Sequence, residues 1–598
     1  VRRHPESQER VSALHRHKQG LGVLAVLGLL ALGLTASPAR ADEEEDALRS
    51  EVKARLSKVE QAIDGWDIVG ANRELAELEK VVPDVEAVKY FRGRIAFEEG
   101  RYAEAIDLLQ QAGLEDKPGS YLRLAKDTLN LTKNHQKAES EHFVFYYPKG
   151  KEEILVPYAL ETLEGIYRAM QEDLGWTPPG GKVRVEVVNN ARELSKVSTL
   201  TYEQITTTGT IAICKFSKLM VTSPKAVARG YDWQDTLAHE YIHLVVSQSS
   251  HNEVPIWLHE GLAKFEESRW RGEGGLGLNP SALALLGKRV KANNLVPFEK
   301  MSPSIAMLPN AEDAALAFAE VFYAIHYVHE TKGTAGFRTI IQELRNGQTD
   351  RKAVEAAVGM PFPLFEKAWL AHIKKQQFPK ELLPREEVVL KEEAKGQDKE
   401  DPKKGREISF GDFVEVDELP ARKLAHLGEI LRERNRAKAA AAEYAKAYQI
   451  VGDKYESVSN KYALTLLELR RLDEAEQVLR GSLRVHPGMP GTNVHLGRIM
   501  LFRKDWAKAK TAYLEALSTN PFDPEIHVAL TKIHDELGET ALKARTKQAG
   551  AVLTGLSPES IENAAYKFMR DERELSGTDV QAKPEEAPAP AAAKDGGK

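Results

Sequence analysis

The strongest constraint on the fold is that the last third of the chain resembles itself at a fixed interval. Pro487 and Pro521, Ala475 and Ala509, Leu472 and Trp506, and the series Tyr462, Leu496 and Leu530 all recur at one spacing, about 34 residues. A period of this length fits one helix–turn–helix unit per repeat, each too small to bury its own apolar face and so obliged to stack on its neighbours. A less regular copy covers roughly 421–450.

That interval is the tetratricopeptide length, and Leu496-Gly497 resembles the first helix of that motif. A second region with this texture lies near the start of the chain. Residues 42–137 read as helical throughout, and Tyr90 to Ala112 carries small residues at Gly93, Gly100, Ala105 and Ala112 around Tyr102, which resembles one such repeat. All-α repeats are therefore expected at 42–137 and 418–555, as surfaces for a protein partner.

The chain between them is different. Residues 141–148 alternate aromatic and β-branched side chains, and Val183 to Val188 alternates again, so both read as strands. Leu155 to Leu174 has helical spacing, a third strand is expected from Thr210 through Val221, and mostly helix follows from Trp233 to Lys375. This is the pattern of an α+β domain over 140–378. Three or four domains suit 598 residues, because single cores stop growing at about 250 to 300 residues.

The ends and joints read from composition. Residues 1–41 carry a basic stretch at Arg16, His17 and Lys18, an apolar run from Leu21 to Leu34, and Ala39-Arg40-Ala41 before acidic residues, the order of a cleavable secretory signal. The run is short of the roughly 20 residues that span a bilayer, so no stable transmembrane segment is expected after cleavage, and the destination is periplasmic or secreted. Residues 386–415 are a charged linker and 576–598 a tail poor in apolar side chains. A formal charge of −6 offers no basic surplus for phosphates, so no nucleic-acid partner is expected. Cys214, the single cysteine, forms no internal disulfide and is read as a small buried hydrophobe.

The chemistry is concentrated in Trp233 to Val246, which contains His239-Glu240-Tyr241-Ile242-His243. Residues four apart on a helix share a face, so His239 and His243 can offer imidazole nitrogens to one metal ion with Glu240 beside its open side. Leu237, Ala238, Ile242, Leu244, Val245 and Val246 mark the helix as buried, where unpaired polar groups are costly. A third donor must come from elsewhere, and Pro255 to Glu267 forms a second apolar helix with Glu260 near its start.

With Trp257, Glu260, Gly261 and Ala263 in place, and with the spacing from His243 to Glu260, the pair of segments resembles the gluzincin superfamily, and about 140–375 resembles peptidase MA-like proteins. The resemblance implies a thermolysin-like zincin fold, one catalytic Zn2+ on His239, His243 and Glu260, and Glu267 as a carboxylate behind a ligand histidine. It also implies hydrolysis of peptide bonds in a peptide or protein substrate, with a zinc-activated water and Glu240 as general base. His259 reads as structural. Such enzymes stabilise the oxyanion with a Tyr or His on a later helix, but Phe318 stands where the Tyr is expected; Tyr323 is the substitute taken here, with Tyr327, His326 and Tyr231 as the others. They also lay substrate along an edge strand, for which Gly209, Thr210 and Ile211 are the candidates. The rival reading is a pseudopeptidase in which the repeats act as an interaction scaffold.

Overall fold

The computed structural model describes residues 38–272, 277–302, 304–305, 308–379 and 413–575. The signal reading on 1–41 lies outside them apart from its last four residues, where the first helix begins. The linker reading on 386–415 lies outside them apart from residues 413–415, and the tail reading on 576–598 lies wholly outside. Among the described residues no helix is long and apolar enough to cross a membrane. The chain divides into two compact units, Val1–Asp401 and Pro402–Lys598.

The first unit opens with five helices: α1 (Pro38–Asp64), α2 (Ile68–Glu79), α3 (Glu86–Glu98), α4 (Tyr102–Gln111) and α5 (Tyr121–Thr132). The α3–α4 turn passes through Gly100 at φ +77°, and a Cβ on Gly93 would fall 2.8 Å from Leu109 Cγ, so glycine is what lets these two helices close on each other. The helical reading runs two residues too far, because Gln136 and Lys137 belong to a strand.

The strands are β1 (Gln136–Glu139), β2 (Phe143–Tyr147), β3 (Val183–Val188), β4 (Ala212–Lys215) and β5 (Lys218–Thr222), in the order β1-β2-β3-β5-β4. The pairs β2/β3 and β3/β5 are parallel, while β1/β2 and β4/β5 are antiparallel, so β4 is an antiparallel outer strand. The single strand expected over 210–221 is a hairpin. Its two-residue turn, Phe216-Ser217, holds both residues at positive φ, 57° and 53°, a conformation usually left to Asn-Gly. Tertiary packing overrides the local preference: the Phe216 ring is buried against Phe97 of α3 at 5.1 Å and Tyr121 of α5 at 6.1 Å. With no Asn-Gly pair, the segment carries no local sign of this turn.

Helices complete the unit: α6 (Val156–Leu174), α7 (Ala191–Val197), α8 (Tyr202–Thr208), α9 (Trp233–Ser250), α10 (Ile256–Glu266), α11 (Pro280–Lys291), α12 (Ala311–Lys332), α13 (Thr334–Arg345), α14 (Asp350–Val358) and α15 (Phe362–Lys374). Helix α9 packs against α6, β4 and β5, and Tyr241 on it lies 5.2 Å from the ring of Phe143 on β2.

A buried ionic network ties the opening helices to the sheet. Lys218 at the start of β5 and Glu186 in mid-β3 are both 0 % exposed, with Lys218 Nζ donating to Glu186 Oε2 at 2.9 Å and to the Tyr102 hydroxyl at 2.7 Å. Tyr102 and Arg184 both donate to Glu186 Oε1. Burial alone would raise the Glu186 carboxyl, but Lys218 and Arg184 hold it at about 2. Breaking one partner of such a pair leaves a buried charge uncompensated, so Lys218→Met is expected to destabilise this unit by about 3–5 kcal/mol in urea titrations followed by tryptophan fluorescence. The folded carboxyl lies below its ordinary 4.5, so its contribution is present above that value and is lost as pH falls from there towards 2.

In the second unit the helices are α16 (Leu419–Glu433), α17 (Ala437–Val451), α18 (Glu456–Glu468), α19 (Leu472–Val485), α20 (Pro490–Phe502), α21 (Trp506–Thr519), α22 (Pro524–Glu536), α23 (Thr540–Thr554) and α24 (Pro558–Leu575). The first helices of three successive pairs start at 456, 490 and 524 and their partners at 472, 506 and 540, which reproduces the interval of the sequence repeat. A Cβ on Gly497 would meet the Tyr513 ring at 2.6 Å, and one on Gly428 would meet Tyr444 at 3.0 Å, the same sequence offset as Gly93 and Leu109. Overpacking this contact with Gly497→Leu is expected to cost at least about 1–3 kcal/mol, read as a lowered unfolding midpoint.

Candidate metal centre

Two helices and one strand build the site. Helix α9 is buried on most sides, through Leu237, Ala238, Tyr241, Ile242, Leu244, Val245 and Val246, and His239, Glu240, His243 and Ser247 lie along one stripe of it. Pro255 precedes α10, and Trp257 fixes its first turn by stacking on Phe298 at 4.3 Å and donating Nε1–H to Asp350 at 2.8 Å. Next to Glu260, a Cβ on Gly261 would lie 2.7 Å from Ile325 Cγ1 and 2.9 Å from the Val321 carbonyl oxygen. Glycine there allows α10 to seat closely on α12.

This packing brings His239, His243 and Glu260 together. Both Nε2 atoms lie 3.5 Å from Glu260 Oε2, and one donor atom of each residue falls within 4.8 Å of the other two. Tetrahedral ligands at about 2.0–2.2 Å from an ion are separated by about 3.3–3.6 Å, so the two measured edges fit a zinc-sized ion. Two imidazoles and a carboxylate are also a donor set suited to Zn2+ rather than to Mg2+ or Ca2+.

The groups behind the donors set their orientation. His239 Nδ1–H donates to Glu267 Oε2 at 3.0 Å, and Glu267 is held in turn by Lys264. Burial alone would push the His239 imidazole down, yet hydrogen bonds to Glu260 and Glu267 raise it to about 10, so this pocket favours positive charge. Burial would likewise raise Glu260, but His243 and His239 hold it well below the usual carboxylate range.

His243 is oriented by a different kind of group. Its Nδ1 is in hydrogen-bond contact with His259 Nδ1, and His259 Nε2 lies 3.1 Å from Ser247 Oγ. Burial and the His243 ring push His259 down to about 3, so it is neutral and carries one N–H. With the His243 Nε2 lone pair turned towards the point that Glu260 also faces, the consistent tautomers are His243 Nδ1–H donating to His259 and His259 Nε2–H donating to Ser247. His259 therefore does more than fill space. Helix-face spacing hides this, because it sets His259 apart from its neighbour Glu260. The available signal was Ser247 one turn beyond His243 on a buried helix.

Glu240 is buried beside these groups. Burial pushes its carboxyl up, the two imidazoles pull it down, Glu260 raises it, and the nearby Cys214 main chain on β4 lowers it. The outer strand packs against α9, the helix that carries the two histidines. Cys214 is half-buried, and its thiol is pushed well up by burial and by Glu240.

The other expected residues are engaged within the fold, and Tyr231 stays within electrostatic reach of Glu240. Gly209 is the left-handed cap of α8, Thr210 N–H donates to the Ile205 carbonyl at 3.1 Å, and the Ile211 carbonyl accepts from Thr222 N–H at 2.8 Å. Thr210 and Ile211 thus spend main-chain groups inside the fold, and the outer strand proper is Ala212–Lys215. Tyr323 is buried with His326 at 5.8 Å and His372 at 6.1 Å, and Tyr327 also packs on His372. Tyr231 donates its hydroxyl to the Thr222 carbonyl. Phe318 is half-buried, one turn before Val321 on α12.

Residues 168–375 match the family model of the Peptidase MA superfamily, and residues 70–121 and 466–533 match two tetratricopeptide repeat families. The chain therefore carries a peptidase MA-like domain with tetratricopeptide repeats on either side. No curated protein matches it. Among solved structures, "Crystal structure of APC/C hetero-tetramer Cut9-Hcn1" aligns at 9% identity over 89% of this chain and 86% of that one, with a TM-score of 0.26, too low to indicate a shared fold.

Removing the carboxylate behind His239, as in Glu267→Ala, is expected to weaken Zn2+ binding about 10–100-fold, as is His259→Ala behind His243, measured by chelator competition.

Proposed function

We propose that this chain is an exported zinc-dependent peptidase of gluzincin type, acting in the periplasm or outside the cell. The observation that carries the reading is the convergence of His239, His243 and Glu260 at separations suited to one ion, next to a buried Glu240 and an antiparallel outer strand. Three protein donors leave a fourth position for water or substrate.

His239, His243 and Glu260 would hold Zn2+, which when bound supplies a Lewis acid that polarises a peptide carbonyl and acidifies water. Glu240 takes the proton of the attacking water and returns it to the leaving amine. Its burial among apolar side chains raises its proton affinity, which suits both halves of that shuttle. Substrate lies extended along β4, where main-chain hydrogen bonds recognise peptide without regard to sequence. Glu267 and His259 keep the imidazoles turned inwards. The tetratricopeptide repeats present a protein substrate or partner.

Phe318, standing where a Tyr is expected, favours a second reading, a catalytically weak pseudopeptidase that serves as a scaffold. Metal content and casein cleavage by the chain from Asp42 onward, compared with Glu240→Gln, separate the two. The peptidase is expected to bind one Zn2+ at this centre in both forms and to lose cleavage by about 10²–10⁴-fold in the variant. Equal zinc with no cleavage by either form across peptide libraries would establish the scaffold, and absence of zinc at these residues would remove the assignment.

A further inference from the structure

A second place in the first unit gathers the same three donor types with the helices' roles exchanged. On α12, His326 and Glu330 are four residues apart and share a face, as His239 and His243 do on α9. His372 reaches them from α15. His326 Nδ1 lies 3.1 Å from His372 Nε2, Glu330 Oε1 is 3.9 Å from His326 Nδ1, and Glu330 Oε2 is 3.4 Å from His372 Nδ1. One donor atom from each falls within 4.8 Å of the other two.

The cluster is separate from the first centre. His326 faces the ring of Phe265 on α10, at 6.0 Å. At about 100° per residue, Phe265 lies about 140° around α10 from Glu260 and about 160° from Glu267, so α10 stands between the two groups.

We propose that His326, Glu330 and His372 form a second divalent-cation site, selective for a borderline transition ion such as Zn2+ over Mg2+ or Ca2+. Two imidazole nitrogens and one carboxylate oxygen are the donors that make this distinction. The edges that share His326 Nδ1, 3.1 Å to His372 Nε2 and 3.9 Å to Glu330 Oε1, lie on either side of the spacing of about 3.3–3.6 Å required around an ion at about 2.0–2.2 Å, while the 3.4 Å contact uses the other nitrogen of His372. His372 is buried and sets the floor of the site, while the Glu330 side chain is 55% exposed and turns to complete the set from the solvent side, which is also the path of entry. The rings of Phe322, Tyr323 and Tyr327 wall the cluster, lowering the local dielectric and strengthening the attraction between a cation and the Glu330 carboxylate. A bound ion clamps α15, the last described helix before residue 413, onto α12. The alternative is a hydrogen-bonded chain from Glu330 through His372 to His326 that needs no ion.

Equilibrium dialysis of the full chain, stripped with chelator and returned to Zn2+ alone, distinguishes them by elemental analysis. Two zinc ions per chain are expected, one remaining in His326→Gln and one remaining in His239→Ala/His243→Ala. Glu330→Gln, an exposed substitution that leaves the circular dichroism spectrum unchanged, is expected to lose the second ion while keeping the first. A chain whose only zinc disappears in His326→Gln and survives in His239→Ala/His243→Ala would support this site and remove the other. Zinc binding unchanged in both His326→Gln and Glu330→Gln would overturn the proposal.

Discussion

The buried pair of Glu186 and Lys218, completed by the Tyr102 hydroxyl, is the interaction on which the arrangement of the first unit rests. Each charge would be costly alone in a dry interior, so β3, β5 and the start of α4 are held in one register by the requirement that all three polar groups meet. Two residues before Lys218 the chain turns at Phe216, whose ring is taken up by Phe97 and Tyr121 of the opening helices. The hairpin is thus anchored on both sides of its turn. Its outer strand packs on α9, with the Cys214 main chain near Glu240.

The centre itself depends on how closely α10 approaches its neighbours. Gly261 lets α12 come near enough to fix α10, and Trp257 fixes the first turn, which together bring Glu260 to the two imidazoles. Behind the donors the two histidines are treated unequally. His239 has a carboxylate partner held by a lysine, whereas His243 has a neutral histidine that passes the hydrogen bond on to Ser247. A carboxylate adds negative charge to its imidazole and a neutral ring does not, so the first histidine is the stronger donor of the two.

Legibility followed the range of the interaction. The repeat interval of the second unit was readable because each repeat packs mainly on its sequence neighbours, and the Gly428–Tyr444 and Gly497–Tyr513 contacts share one sequence offset. Strand β3 and helix α6 were readable from periodicity to within a residue. The hairpin was not, because its turn carries Phe216-Ser217 and is enforced from outside. Gly209, Thr210 and Ile211 read as strand for the same reason, whereas the cap of α8 and the pairing with Thr222 use their main chain. Tyr323 packs on His326 and His372, contacts between helices that its place along α12 does not reveal.

What the sequence determined by itself was local: repeating helix pairs, one helix with two histidines a turn apart, and a second apolar helix bearing Glu260. These follow from the helical period, from the longer period of the repeats, and from the cost of burying unpaired polar groups. Tertiary structure alone decided that Glu260 meets both imidazoles, that His259 stands behind His243, that β4 is an outer strand against Glu240, and that His372 joins His326 and Glu330. Each of these joins residues from separate elements, and their separations are set by side-chain volumes and close approaches such as that at Gly261, which no periodicity encodes.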